Sequence, residues 1–355
     1  MKIKSVRSFL KRVALKKPYT IAQNTFSDVA LAFLEVELEN GIIGYGSGSP
    51  AEEVVGETTE KTYANLQSNF VQQLAGRDIR HFLHLIHEAC CQFPHLPGTQ
   101  AAIDIALHDA FCKWAGLPIV DFYGRKIMAL PTSVTIGIKP VADTLSEAET
   151  YVEQGFRILK VKLGRMPEED IERILKLHEH FRGTVTLRVD ANQGYDFATL
   201  RSFLNATKHV PLDLIEQPLP AGEESVLHSL SPEQRKKLAA DESLTDPEAA
   251  LHFASRDRCF GIFNIKLMKC GGISGARKIA TIAEAGKIDL FWGCNDESRI
   301  SIAAALHIAY SCPNTRYIDL DGSFDLAEDL AKGGFSIRDG CLFLSDAPGL
   351  GIEKL

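Results

Sequence analysis

Apolar and acidic residues alternate through Leu34-Glu35-Val36-Glu37-Leu38-Glu39, the period of two that marks a strand with one buried face. Asn40-Gly41 supplies a tight turn, and Ile42-Ile43-Gly44-Tyr45-Gly46 predicts the returning strand of an antiparallel hairpin. Upstream, Met1–Lys17 mixes charged and apolar residues and lacks the continuous apolar core of a leader peptide. Downstream come helical segments, the last running through Ala101-Ala102-Ile103-Asp104-Ile105-Ala106-Leu107-His108-Asp109-Ala110 until Gly116-Leu117-Pro118 stops it. Residues 1–125 predict a small α+β unit.

Beyond about residue 130 short strand-like runs alternate with amphipathic helical runs. The predicted strands are Ser133–Gly137, Ile158–Leu163, Thr186–Asp190, Leu212–Glu216, Lys237–Asp241, Phe263–Lys266, Leu290–Cys294 and Tyr317–Asp321. Each carries a polar residue at or near its C-terminal end: Thr135, Lys162, Asp190, Glu216, Asp241, Lys266, Cys294 and Asp319. The steps between these positions are 27, 28, 26, 25, 25, 28 and 25 residues. A near-constant step with a helix inside it is a βα repeat, and eight such units close a barrel. An open doubly wound sheet shares the alternation but has fewer, less regular units. Residues 126–324 thus predict an α/β protein with a (β/α) barrel, whose catalytic groups come from the C-terminal strand ends. After Asp321, Gly-rich turns lead to Pro348-Gly349-Leu350-Gly351-Ile352. This segment, 325–355, is expected to return to the N-terminal unit and complete a cap over the barrel mouth.

Composition narrows the class. The 355 residues suit one large barrel with an appendage, and 45% hydrophobic with 24% charged residues is globular usage. A net charge of −7 provides no basic field for nucleic acid or an anionic membrane. No apolar run approaches the ~18 residues of a membrane span. The eight cysteines include no CxxC pair and are expected to be buried, reduced thiols of a cytoplasmic protein.

The strand ends carry the chemistry. Asp190, Glu216 and Asp241 close three consecutive predicted strands. Adjacent strands lie ~4.8 Å apart, so three carboxylates there can converge on one small cation. Hard oxygen ligands with room for water and substrate suit Mg²⁺ or Mn²⁺ over Zn²⁺. Acidic residues at such positions also cap the following helices, but three in succession, each after an apolar run, favour the metal. Lys160 and Lys162, two apart in a strand, point to one face. Lys266 ends a strand on the far side of the acidic trio. The order lysine, three carboxylates, lysine fits removal of a weakly acidic α-proton from a carboxylate substrate. A cation stabilises the enediolate, one lysine takes the proton, and the other returns it to the opposite face.

At these residues the sequence resembles the enolase superfamily, in its muconate-lactonizing subgroup, over nearly the whole chain. The matching pieces are Lys160-Val161-Lys162, Asp190-Ala191-Asn192, Ile215-Glu216-Gln217-Pro218, Asp241-Glu242-Ser243 and Lys266-Leu267-Met268-Lys269-Cys270-Gly271-Gly272. The resemblance implies a modified TIM-type barrel with an α+β capping domain. It implies Lys162 and Lys266 as acid/base residues, Asp190, Glu216 and Asp241 as Mg²⁺ ligands, and Lys160 against the substrate carboxylate. Asp319-Leu320-Asp321 is similar to the DxD of the dipeptide epimerases, whose two acids hold the substrate α-ammonium. Family members commonly assemble, which implies a homo-oligomer.

The chain departs from the Ala-Glu branch of that family. Where that branch has a cap-loop arginine for the glutamate side chain, residues 18–25 offer Asn24. Asp296 stands where the family often has an apolar residue, and Glu52 and Glu53 lie in a second cap loop. With Thr135 and Cys294 at the first and seventh strand ends, these residues make up the expected substrate pocket, and its specificity end is acidic. The reading is a Mg²⁺-dependent dipeptide epimerase inverting the second residue, with Lys, Arg or a neutral polar residue there in preference to Glu. The same lysines and metal serve N-acylamino acid racemases, o-succinylbenzoate synthases and muconate cycloisomerases, but those substrates have no ammonium for Asp319 and Asp321. A Schiff-base aldolase would need one lysine and no trio of carboxylates.

Three further signals carry no site. His81, His84 and His87 drift around a helix and read as surface residues. Gly44-Tyr45-Gly46-Ser47-Gly48 follows a hairpin strand, not the strand of a dinucleotide fold. Gly271-Gly272-Ile273-Ser274-Gly275 reads as a tight βα turn beside Lys266.

Overall fold

The computed structural model describes residues 1–20 and 25–354. Strands β1 (Ile3–Thr20) and β2 (Thr25–Leu38) form a long antiparallel ribbon, and β3 (Ile43–Gly48) pairs with β2. The alternation in β2 sorts its side chains between two cores. Leu31 and Phe33 pack with the barrel, whereas Ala32, Leu34, Val36 and Leu38 pack under the cap helices. Glu35 and Glu37 are answered across the ribbon by Arg7 and Lys4. The glycine run of β3 exists for packing. A Cβ on Gly46 would lie 2.0 Å from the Ala102 carbonyl of helix α1 (Pro97–Ala115), so the strand lies directly on that helix's backbone.

Helix α1 is the joint of the molecule. Its Asp104 carboxylate accepts from the Ile273 and Ser274 N–H groups at 2.8 and 3.1 Å, capping a barrel helix. Its Asp109 accepts from Tyr45 N at 2.8 Å and Leu350 N at 2.7 Å, tying β3 and the tail together.

The barrel strands are β4 (Val134–Ile136), β5 (Ile158–Lys162), β6 (Thr186–Asp190), β7 (Ile215–Glu216), β8 (Leu238–Ala240), β9 (Ile262–Ile265), β10 (Asp289–Trp292) and β11 (Thr315–Ile318). All eight run parallel in sequence order. The ring closes through a parallel bridge between Thr132 and Ile318, with Ser133 N donating to Ile318 O at 3.2 Å. Arg188 fills the floor, donating to Ile318 O at 2.8 Å and to Asp213 at 3.1 Å, with its guanidinium over Phe291 and Tyr317.

Several strands stop short of the sequence expectation. Asp241, Lys266, Cys294, Asp319 and Asp321 lie just past the ends of β8, β9, β10 and β11. Side chains there take over the ladder's hydrogen bonds. The Asp321 carboxylate accepts the Thr135 N–H at 2.8 Å, and the Gln217 amide oxygen accepts the Asp241 N–H at 2.9 Å.

The tail touches both parts. Leu326 bridges to Leu15 of β1, and Lys16 N donates to Asp325 O at 2.7 Å. Farther on, Cys341–Leu344 pairs with Leu130–Pro131 at the barrel's entry. At the other end of the ribbon, Ile138 N donates to Thr20 O at 2.9 Å, which brings the end of β1 to the mouth beside β4.

The cysteines correct one expectation. All eight are free, but only Cys112, Cys259, Cys270 and Cys312 are buried; Cys91 is exposed and Cys90, Cys294 and Cys341 are half-buried. His81, His84 and His87 are exposed. Among the described residues no helix is long and apolar enough to cross a membrane.

Candidate active site

Lys162 ends the second strand of the ring and Lys266 follows the sixth, so the two ammonium groups approach the mouth from opposite walls. Between them on one side stand Asp190, Glu216 and Asp241 from the third, fourth and fifth strands. Register places them level: Lys162 pairs with Asp190, and Asp190 with Glu216. All three carboxylates are at most 2% exposed.

Ammonium groups answer this buried negative charge. Lys160 Nζ lies 2.7 Å from Glu216 Oε2, 2.9 Å from Asp319 Oδ2 and 3.2 Å from Asp190 Oδ2. Lys162 Nζ lies 2.7 Å from Asp190 Oδ2, and Lys266 Nζ 2.8 Å from Asp241 Oδ2. Lys269 bonds to Asp241 Oδ1 from behind. Burial opposes ionisation of Asp190, yet Lys162 and Lys160 outweigh it and hold the pKa down to about 2. Lys266 and Lys269 likewise overcome burial to hold Asp241 low. Glu216 goes the other way, to about 8, because burial and the nearby Asp190 charge exceed the help from Lys160. Burial works against the charge on Lys266, but Asp241 and Glu216 keep its pKa above the ordinary lysine value.

This donor set suits a small hard divalent cation. It is all oxygen and buried, and its members repel one another. Beside it Glu242 Oε2 is a buried acceptor without a hydrogen-bond partner. Among the described residues no three acidic, His or Cys groups are gathered tightly enough to enclose an ion as they stand. In this arrangement the outward oxygens of the trio are turned to lysines.

The opposite side of the mouth is acidic as well. Asp319 lies 4% exposed, with Oδ1 accepting from Ser133 Oγ and Oδ2 from Lys160 Nζ. Asp321 is pushed well above the ordinary carboxylate range by burial and by the charges of Asp319 and Asp325. Asp325 rises to about 6 through burial and the charge of Asp296, against the pull of Lys16. Asp296 is half-buried, and its carbonyl accepts from Ser49 Oγ at 3.0 Å. Cys294 Sγ donates to Asp319 O at 3.3 Å.

The structure thus brings together Lys160, Lys162, Lys266, Asp190, Glu216, Asp241, Thr135, Cys294, Asp296, Asp319 and Asp321. Glu52 and Glu53 are not part of that group; they are exposed on the first turn of the short helix Glu52–Val55. Asn24 lies outside the described residues. Sequence reasoning missed Asn264, Asp325 and the contact made by Lys269. Asn264 sits two before Lys266, and the same-face rule for i and i+2 would have found it. Asp325 lies in an aperiodic loop, where no spacing signals it.

The family model described as "Mandelate racemase / muconate lactonizing enzyme, N-terminal domain" matches residues 3–124, and "Enolase C-terminal domain-like" matches residues 143–354. The chain is similar to the L-Lys-D/L-Arg epimerase of Methylococcus capsulatus, at 48% identity over 352 residues that span 99% of each chain. It is similar to the crystal structure of the dipeptide epimerase from that organism complexed with Mg and the dipeptide L-Arg-D-Lys, at a TM-score of 0.97 and 48% identity, covering 99% of each chain. It is also similar to the substrate-liganded L-Ala-D/L-Glu epimerase of Bacillus subtilis, at a TM-score of 0.94 and 28% identity, covering 100% of this chain and 99% of that one.

Proposed function

The chain belongs to the enolase superfamily, in its mandelate racemase/muconate lactonizing group and among the dipeptide epimerases, and from that premise we propose that it inverts the α-carbon of the second residue of dipeptides that carry Lys or Arg. It is an isomerase acting on dipeptides. The observation that carries the mechanism is the placement of Lys162 and Lys266 on opposite walls, with the metal-type carboxylates to one side.

Asp190, Glu216 and Asp241 would hold a Mg²⁺ ion. When bound, that ion stabilises the second negative charge on the substrate carboxylate and relieves the carboxylates' upward pull on the lysines. The chain's own groups do the rest. One of Lys162 and Lys266 takes the α-proton from one face, and the other delivers a proton from the opposite face. Lys160, buried at the centre, stays near the substrate carboxylate. Asp319 and Asp321 receive the α-ammonium, which meets the charge that their mutual repulsion leaves unanswered. Asp296 and Asp325 make the rim selective for a cationic side chain. The solved relative holds L-Arg-D-Lys, which supports that preference.

The test is a panel of L,L-dipeptides incubated with the enzyme and Mg²⁺, followed by chiral separation. Epimers of Lys- and Arg-containing dipeptides are expected to form fastest. Faster epimerisation of Ala-Glu would reject the cationic preference. Activity only on N-acylamino acids would reject the dipeptide reading.

A further inference from the structure

The three acidic strand ends share one arrangement: each carboxylate has one oxygen held by a fixed donor and the other turned toward a lysine. Asp190 Oδ1 accepts from the Asn192 main-chain N–H at 2.9 Å, while Oδ2 faces Lys162. Glu216 Oε1 accepts from the Asn264 amide at 2.7 Å, while Oε2 faces Lys160. Asp241 Oδ1 accepts from Lys269, while Oδ2 faces Lys266. Resting on the function proposed above, we infer that Asn264 and Lys269 are positioning residues. They preset Glu216 and Asp241 so that each offers a single oxygen, Oε2 and Oδ2, to the divalent cation.

Both side chains are placed for holding rather than for chemistry. Lys269 is 6% exposed, and its Nζ also donates to the carbonyls of Asp241 and Asn264. All three of its N–H donors are therefore used within the wall of the barrel. Asn264 is fully buried in β9, on the same face as Lys266 two residues on. Its amide nitrogen donates to Glu216 Oε1, the orientation that an ionised, metal-ligating Glu216 requires because it can only accept. Gly293, at the end of β10, leaves room for that amide. A Cβ there would lie 2.7 Å from Asn264 Oδ1 and 2.9 Å from Nδ2.

The consequence concerns the metal. A small hard ion that also takes substrate oxygens and water cannot spend its ligand positions on two oxygens from every carboxylate. Fixing one oxygen of each to the protein enforces single-oxygen donation and stops the carboxylate from rotating away. Loss of such an outer partner typically costs about 10–100-fold in metal affinity or activity. It does not touch the reacting carbon, so turnover at saturating metal should recover.

The experiment is calorimetric titration of Mg²⁺ into the full chain. It compares the unaltered protein with Asn264→Ala, Lys269→Met and Gly293→Ala, together with Mg²⁺-dependent kinetics on an Arg- or Lys-containing dipeptide. The Gly293→Ala change removes no polar group and only displaces the Asn264 amide. It carries the test even if the other two variants fail to fold. Expected is a Kd for Mg²⁺ raised about 10–100-fold in each folded variant, with kcat at saturating Mg²⁺ within severalfold of the parent. Folded variants that melt earlier without metal yet bind Mg²⁺ as the parent does would show a merely structural role and overturn the inference. Failure of the parent itself to bind Mg²⁺ would instead overturn the functional reading on which it rests.

Discussion

The two sides of the barrel mouth are both acidic, yet they are built differently. On the side of the third to fifth strands, the oxygen pairs of Asp190, Glu216 and Asp241 are each divided between a fixed donor and a lysine; Asp190 and Asp241 are held ionised, and Glu216 is pushed up to about 8. On the side of the seventh, eighth and first strands, Asp319, Asp321, Asp325 and Asp296 lie close together, and burial and mutual repulsion raise Asp321 well above the carboxylate range and Asp325 to about 6. Lys160 and, more weakly, Lys162 lower Asp319, and Lys16 pulls on Asp325. On the proposed function, the first side would be a set of ligands oriented in advance, and the second would offer its negative charge to the ammonium and cationic side chain of a dipeptide. Crowding buried acids against one another is costly, so this arrangement is itself a reason to read the second side as a substrate site.

The largest effect should come from the groups between the two sides. Lys162→Ala and Lys266→Ala are each expected to lower epimerisation by roughly 10²–10⁴-fold, the range for removing a positioned acid or base. Chiral chromatography of the product reads it. Next comes the ammonium site. Asp321→Asn should cost about 2–5 kcal/mol in kcat/KM on dipeptides, as expected when one partner of a buried charge pair is truncated. N-acetylated analogues, which have no ammonium, should not gain or lose by the change. Equal losses for both would erase the distinction between the two sides.

A smaller effect belongs to the rim. Asp296→Asn and Asp325→Asn should each lower kcat/KM on Lys- or Arg-containing dipeptides roughly tenfold, the scale of one charge-assisted hydrogen bond. Neutral dipeptides should change little, so the ratio of the two substrates is the readout. A last effect is pH-linked, lies in the scaffold and does not touch catalysis. Burial pushes His307 from the ordinary 6.5 down to about 4, so the folded chain takes up that proton less readily than the unfolded one. Stability from this residue is complete above pH 6.5 and is lost as pH falls toward 4, by about 3 kcal/mol. Urea midpoints at neutral and acid pH should therefore differ less in His307→Gln than in the parent.

Much of this was legible in the sequence, and the limits are physical. The even steps of 25 to 28 residues between strand-end polar groups foretold the eight parallel strands, because each βα unit must span the same wall. The acidic trio and the lysines stood out because apolar strands tolerate charge only where function or pairing demands it. The strand ends were less legible. Gln217 and Asp321 accept main-chain N–H groups that would otherwise extend the ladder, and no local pattern announces that substitution. The burial of β2 on both faces from Ala30 to Val36 was hidden too, since Glu35 and Glu37 read as a solvent face until Arg7 and Lys4 of the long first strand are laid beside them. Asp325 escaped because loop convergence depends on the closed ring, not on spacing along the chain.

The central claim is that two lysines work on opposite faces of one carbon. The direct measurement is α-proton exchange in D₂O, followed by mass spectrometry, starting separately from each epimer of one Arg- or Lys-containing dipeptide. The parent should exchange and interconvert both epimers. Lys162→Ala should exchange the proton of one epimer only, Lys266→Ala that of the other only, and neither should interconvert them. If both variants retain exchange with the same epimer, or if either interconverts the pair at close to the parent's rate, the two-faced mechanism is wrong.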